Sequence, residues 1–478
     1  MPSIRSMSSL VRFAAVAAAC ATAASASAAA TAPAELLPHQ VPLEIDGAGT
    51  AWILTSTALV LLMTIPGLAL FYGGMVRKKN EISTVAQPLA IAALVTVLWM
   101  AGCYGLALGY NENAGLQDWI GSFRCLFLDH VRPDTAHVAA KGLPEMLWIG
   151  YQLTFAIITP ALIAGAFAER LKFSALLLFT ALWSVLVYAP VCHWVWGNGF
   201  LANMGALDFA GGTVVHVNAG IAGLVCCIVL GKRTGYGTEN MAPHDLIHTM
   251  IGASLLWVGW FGFNAGSAWM ADGVAATALL NTQIAAAGAA LVWMTIDWIE
   301  HKKPGMLGMA SGAVGGLVGI TPAAGYVTPQ SALMIGLACG AACYFGATWI
   351  KQRLNYDDSL DAFGVHGLGG IVGALLTGVL ADGAINPAAA NATLLKQAIG
   401  IGVTAVWSGA LTFGILMICK YTVGLRVTPD CEAVGLDMAL HGESLHRRSA
   451  RARRHPDGTK HHPAHRPHGE GEKPSSRH

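Results

Sequence analysis

Long apolar runs follow one another along the chain, parted by short segments that hold turn residues and most of the charge. The runs lie over 52–73, 83–109, 145–168, 173–192, 211–230, 245–267, 276–299, 306–323, 330–351, 362–381 and 396–424. A helix needs roughly 20 apolar residues to cross the hydrocarbon core of a bilayer, and most of these runs reach that length. The pattern predicts an all-α membrane protein with eleven transmembrane helices, forming one membrane domain over 48–426. An odd number of crossings puts the two ends of that domain on opposite sides.

Charge placement supplies the orientation. The connections after the first, third, fifth, seventh and ninth runs carry Arg77, Lys78 and Lys79; Arg170 and Lys172; Lys232 and Arg233; Lys302 and Lys303; Lys351 and Arg353. The opposite connections around 193–210, 268–275, 324–329 and 382–395 carry no Lys or Arg, and only the long segment 110–144 breaks the rule, with Arg124, Arg132 and Lys141. Basic loops favour the cytoplasmic side, so the N-terminus is expected outside and the C-terminus inside. The first thirty residues agree: Arg5 and Arg12 precede an apolar, small-residue segment with an A-x-A site at Ala26-Ser27-Ala28, the pattern of a cleaved signal peptide over 1–30. Cys20 only loosely fits a lipoprotein site.

Composition agrees, with 54% hydrophobic and 12% charged residues. The net charge of +1 identifies no partner, and no nucleic acid is expected. The ten cysteines form no C-x-x-C pair and no metal-ligand spacing. Cys103, Cys226, Cys227, Cys339 and Cys343 read as small packing residues, and Cys125 lies in a loop with no obvious disulfide partner.

One feature recurs within the apolar runs. "TVVHVNAGIAG" and "FGVHGLGGIVG" both fit V-H-x-x-x-G-I-x-G, placing His216 on the fifth helix and His366 on the tenth. These helices run in opposite directions, so helices one to five and six to ten form an inverted repeat, an arrangement that puts its functional site near the midplane between the halves. Ionisable groups inside a bilayer are costly and face interior pathways. Two neutral imidazoles suit hydrogen bonding to a small neutral or protonated guest. Zinc would demand three or four ligands, and no further ligand set is present. Neither a metal nor a cofactor is expected.

Two further elements join the pair. Asp208 stands eight residues before His216, a little over two helical turns. It reads both as the N-cap of the fifth helix and as a carboxylate adding negative potential at the outer end of a pathway. Phe155, Trp196 and Phe263, with Ser267, fall near outer helix ends. As a set they suit a cation–π cage, each contact contributing about 0.5–2 kcal/mol, with a hydroxyl acceptor beside it.

"IPGLALFYGGMVRKKN", "GAFAERLKF", "DFAGGTVVHVNAG", "WVGWFGFNAGSA" and "FGVHGLGGIVG" together resemble the ammonium transporters, the Amt/Mep/Rh family, from about residue 48 to about 446. The resemblance implies the ammonium transporter fold of the bacterial Amt type: a homotrimer in the bacterial inner membrane with one pore per subunit, and a transporter rather than an enzyme. It assigns Phe155, Trp196, Phe263 and Ser267 to an outer ammonium-recruiting site, Phe155 and Phe263 also to a phenylalanine gate, and Asp208 to ammonium recognition. His216 and His366 become the twin histidines of a hydrophobic conduit, and Trp260 a pore-lining tryptophan. The implied mechanism is deprotonation of ammonium, passage of ammonia and a separate proton relay. "GLRV", "EAVGLD" and "HGE", within 427–446, resemble a regulatory tail that docks a PII signalling protein. The His/Arg-rich 447–478, with His461, His462, His465 and His468, departs from the family. Its composition predicts disorder; these histidines suit weak binding of a divalent metal, and contact of a cationic tail with anionic lipid is the blander reading and the one preferred. A sensor acting through PII is the alternative function, although such sensors carry an output domain after the last helix. An intramembrane metalloenzyme is a minor alternative.

Overall fold

The computed structural model describes residues 36–444, to which every statement below refers; the signal segment and the extension after 446 lie outside it. Ten helices are long and apolar enough to cross a membrane: α1 Gly47–Met75, α2 Lys78–Leu108, α3 Glu145–Phe167, α4 Phe173–Met204, α5 Gly212–Leu230, α6 Leu246–Ala268, α7 Gly273–His301, α9 Pro329–Leu354, α10 Phe363–Leu380 and α11 Leu394–Thr422. Between α7 and α9 stands a shorter apolar helix, α8 Met306–Ile320. It is buried along most of its length by α7, α9 and α6. The eleven expected helices are all present in order.

The helix starts follow local chemistry. Asp46, Asp245 and Asp272 cap α1, α6 and α7 by accepting the N–H groups of Ala48, of Ile247 and His248, and of Ala275. Thr328 and Thr393 do the same for α9 and α11. Each side-chain oxygen satisfies donors that an opening helical turn leaves without an intrahelical partner. The outward faces stay apolar, with Ile228, Ile247, Leu395 and Val406 exposed, as lipid contact allows. A membrane-spanning helix satisfies its backbone internally, and its exposed side chains need only match the hydrocarbon.

The sequence reading held no β-structure, yet a small ribbon is present: β1 Gln40–Pro42 pairs antiparallel with β2 Thr135–His137. It ties the chain before α1 to the long α2–α3 connection. The buried Glu145 holds this junction, accepting from Gln40 Nε2 (2.7 Å), Thr135 Oγ1 (2.9 Å) and Tyr104 Oη (2.9 Å). Burial pushes the neighbouring His137 down to about 4. Cys125 has no disulfide partner and packs 3.6 Å from His39 Nε2.

At the Lys/Arg-rich end, buried ion pairs link loops from both halves. Arg77 and Arg233 meet Glu169, and Arg233 also meets Asp357 at 2.8 Å. The segment after α11 is strapped across these loops. Arg426 pairs with Glu432, whose Oε2 accepts from Thr234 N. Lys79 Nζ donates to Ala433 O, and Asp437 accepts from Ile82 and Ser83 N–H. Burial alone would push Glu432 up, but the Arg426 guanidinium and the Thr234 N–H outweigh it and hold the carboxyl below its ordinary range. A depressed carboxyl stabilises the fold above its unfolded value and loses that contribution as pH falls. Limited proteolysis should therefore find this strap protected at pH 7 and released below about pH 4. Glu432→Gln should release it already at pH 7; equal protection of wild type and variant would refute the role given to this pair.

Candidate functional site

His216 and His366 lie on widened, π-helical turns, Gly212–Val217 of α5 and Phe363–Gly367 of α10. Such turns occur often at functional sites, because one extra residue re-aims the side chains around it. The motif's glycines determine how closely the two helices cross. A Cβ at Gly220 would overlap the backbone of Gly367 on α10. In the mirrored half, a Cβ at Gly370 would stand 3.0 Å from Gly212 O and 3.1 Å from His216 Cβ. Small residues let membrane helices touch backbone to backbone, and here that contact brings the imidazoles together.

The two rings stack with centroids 5.3 Å apart and planes 14° apart, and their Nδ1 atoms are 3.3 Å apart. Both residues are buried. The Trp260 indole covers another side of His216, at 5.4 Å and 20°, and is fixed by donating Nε1–H to Thr321 Oγ1 at 2.9 Å. His216 Nε2 is buried without a protein partner. Beside the pair is a space of about 10 Å³ bordered by Leu68, Ile158, Phe263 and Val314, enough for about one water-sized molecule.

A file of aromatic rings leads from this pair toward the end opposite the basic loops. His216 lies 6.0 Å from Phe263, Phe263 packs on Phe155 at 4.3 Å with the planes tilted by 36°, and Phe155 meets Trp196 edge-on at 5.7 Å. Phe155 and Phe263 are fully buried and close the file. Beyond them opens a cavity of about 520 Å³ whose walls include Trp196, Asp208 and Ser267. Ser267 spends its proton on Phe263 O at 2.8 Å, which leaves its oxygen lone pairs as acceptors.

Asp208 is a cap in the strict sense. Oδ1 accepts from Gly211 and Gly212 N–H, at 2.8 and 2.6 Å, and Oδ2 from Thr213 and Val214 N–H, at 2.8 and 3.0 Å. These are the orphan donors at the start of α5. All eight residues singled out in the sequence thus fall along one path: Asp208, Trp196 and Ser267 at the cavity, Phe155 and Phe263 across it, and His216, His366 and Trp260 beneath.

Sequence reasoning missed other residues. Asp358 caps α10 as Asp208 caps α5, accepting from Ala362 and Phe363 N–H at 3.0 and 2.8 Å. Burial, with Asp361 nearby, pushes its carboxyl up to about 6. The eight-residue interval from Asp208 to His216 recurs from Asp358 to His366, so extending the repeat upstream would have found it. Thr321, Trp269 and Tyr326 come from distant loops and left no such signal.

The chain matches the family model described as Ammonium Transporter Family over residues 51–445. It is 47% identical over 408 residues to a protein of Bacillus subtilis (strain 168) named "Ammonium transporter", covering 84% of this chain and 98% of that one. Among solved structures it is similar to Mep2 of Saccharomyces cerevisiae, with a TM-score of 0.74 and 34% identity over 81% of this chain and 91% of that one. It is also similar to a "Sensor Amt Protein", with a TM-score of 0.75 and 28% identity over 82% and 98%.

If the glycine contact sets the histidine geometry, Gly220→Val should force α5 and α10 apart and destabilise the protein by about 1–3 kcal/mol or more. Thermal unfolding in detergent would show this as a lowered midpoint. Gly414→Val, at an exposed α11 position with nothing near the added carbons, should change little. Equal effects of the two would refute the assignment.

Proposed function

The chain belongs to the ammonium transporter family, and from that premise we propose how this multi-pass membrane protein moves its substrate. Ammonium enters from outside at the cavity walled by Trp196, Asp208 and Ser267, loses a proton, and crosses as ammonia past Phe155 and Phe263 and along His216 and His366. The proton takes a separate relay through the histidine pair. The observation that carries this reading is the buried imidazole pair, 3.3 Å apart at Nδ1, beside a single-molecule space with largely apolar walls.

The chemistry follows from what each station offers. Ammonium and potassium ions are similar in size and charge, so Coulomb attraction does not separate them. Ring quadrupoles draw in either cation, while the Ser267 oxygen accepts an N–H that only ammonium has. An ion stripped of water in the section beyond the phenylalanines would pay a large desolvation cost. Ammonia does not, and the price of making it is one proton to be carried elsewhere.

The histidines suit that task. A bond between two Nδ1 atoms needs one N–H donor and one bare acceptor. In the neutral pair, one ring then has a bare Nε2 and the other an Nε2–H. Ammonia can donate to the first and accept from the second, and a proton added at one Nε2 can leave from the other after the Nδ1 proton shifts. Trp260, held by Thr321, keeps the His216 ring in plane for that exchange.

The expected setting is a homotrimer in the bacterial inner membrane, with the basic loops cytoplasmic and residues 1–30 removed as a signal peptide. The strap after α11 faces the cytoplasm and offers a docking place for a PII-type protein. The similarity to a "Sensor Amt Protein" favours sensing through such a partner as an added role.

Currents in proteoliposomes after an ammonium jump, with potassium as control, test the reading. Wild type should give an ammonium-specific transient. His216→Ala and His366→Ala should abolish it or make the pore conduct potassium. Unchanged currents and selectivity in both variants would remove the pair from the transport path.

A further inference from the structure

The cavity above the phenylalanines is much larger than its proposed passenger. Its volume of about 520 Å³ lies in the range of pockets for small organic ligands, whereas the space beside the histidines, of about 10 Å³, holds about one water-sized molecule. Its walls include Trp196, Phe209, Trp269, Tyr326 and Asp272. Trp269 and Asp272, from the α6–α7 connection, have no part in the path to the histidines.

Trp269 is held in a conformation that bulky residues rarely adopt. Its φ is +60°, in the left-handed region. Its N–H donates to Gly266 O at 2.9 Å. Its indole rests edge-on against the buried Trp148 at 4.5 Å, and Trp148 is stacked in turn on His137 at 5.2 Å. The ring is thus braced from behind and only partly covered where it borders the cavity. Trp196 is fixed likewise, donating Nε1–H to Asp208 O at 3.0 Å. Phe209 and Tyr326 form an edge-to-face pair at 5.2 Å. Asp272 caps α7 through Oδ1 and is itself exposed, so it adds negative charge at the rim. Lys396 donates to Asn391 O at 2.9 Å, with its ammonium beside Gly205 at the edge of the cavity, opposing the rim carboxylate.

We propose that this vestibule is a cage for quaternary ammonium ions, with Trp269 and Asp272 as the residues that select them. Such ions lack N–H groups to satisfy with acceptors, and aromatic faces are the surfaces that recognise them. Rigid indoles from two separate elements, an aromatic pair and a carboxylate at the rim provide that recognition in a volume ammonium does not need. A quaternary ion cannot give up a proton and is too wide for the closed Phe155–Phe263 pair, so it blocks and does not pass. The blocking role rests on the transport reading above; the binding does not.

Tetramethylammonium is the probe. Calorimetric titration of the purified full chain, with sodium chloride as control, should show saturable binding, and tetramethylammonium should compete with ammonium in the proteoliposome current. Trp269→Leu should weaken binding about three- to tenfold. Asp272→Asn keeps a good N-cap residue, so α7 stays capped; it should weaken binding about threefold and reduce its salt dependence. The second variant carries the test if the first does not fold. No saturable binding to wild type, or binding to Asp272→Asn and folded Trp269→Leu as tight as wild type, overturns the cage. Binding without any ammonium current in wild type leaves the cage standing and sinks the transport reading; a normal current without binding does the reverse.

Discussion

The structure depends on a contact between two backbones. Where α5 crosses α10, Gly220 lies against Gly367 and Gly370 against the turn that carries His216. Lipid gives helices little hydrophobic reason to associate, so this crossing rests on dispersion between closely fitted surfaces. A side chain at either glycine would hold the helices apart, and the Nδ1 atoms at 3.3 Å would lose their bond. The inverted repeat supplies the fit twice, since each half contributes one histidine and one glycine that accommodates the other half. The cost of burying two imidazoles is shared by the hydrogen bond between them and by the stack with Trp260.

Much of this was legible in the sequence because its signals are periodic or repeated. Eleven apolar runs gave eleven helices, with α5 and α10 bounded within a residue or so of the expected spans. The helix α8 was expected at 306–323 and found at Met306–Ile320, ending where the chain enters a run of turns over 321–326. The V-H-x-x-x-G-I-x-G repeat pointed to both histidines before any geometry was available. What stayed hidden came from single residues brought together by distant loops. The β1–β2 ribbon pairs segments about 95 residues apart, and Gln40, Tyr104 and Thr135 meet Glu145 with no shared pattern in the chain. Trp269 is unremarkable in sequence, and its importance comes from a backbone turn and from Trp148, over a hundred residues earlier.

Asp208 is compatible with both readings that its place in the sequence allows, and the structure shows the first of them, the cap. Its four hydrogen bonds leave its carboxylate oxygens little capacity for a further donor, so a direct bond to an entering ammonium ion is not its natural use. Its negative charge remains, only partly offset by the positive end of α5. Because the residue itself is buried, that charge is less screened than a surface carboxylate's. It therefore lowers the energy of a cation in the adjoining cavity without touching it, while fixing the turn from which His216 projects. Replacing it by Asn would keep an acceptor for the cap and remove the field, whereas replacing it by Ala would remove both and leave buried N–H groups unpaired. Asp358 occupies the corresponding place below His366. There Lys351 and Asp361 stand nearby as an ion pair at 2.7 Å, so the two ends of the repeat share a cap geometry but not an electrostatic environment. The transport proposed above, in which a cation enters at one end and ammonia crosses to the other, has use for that difference.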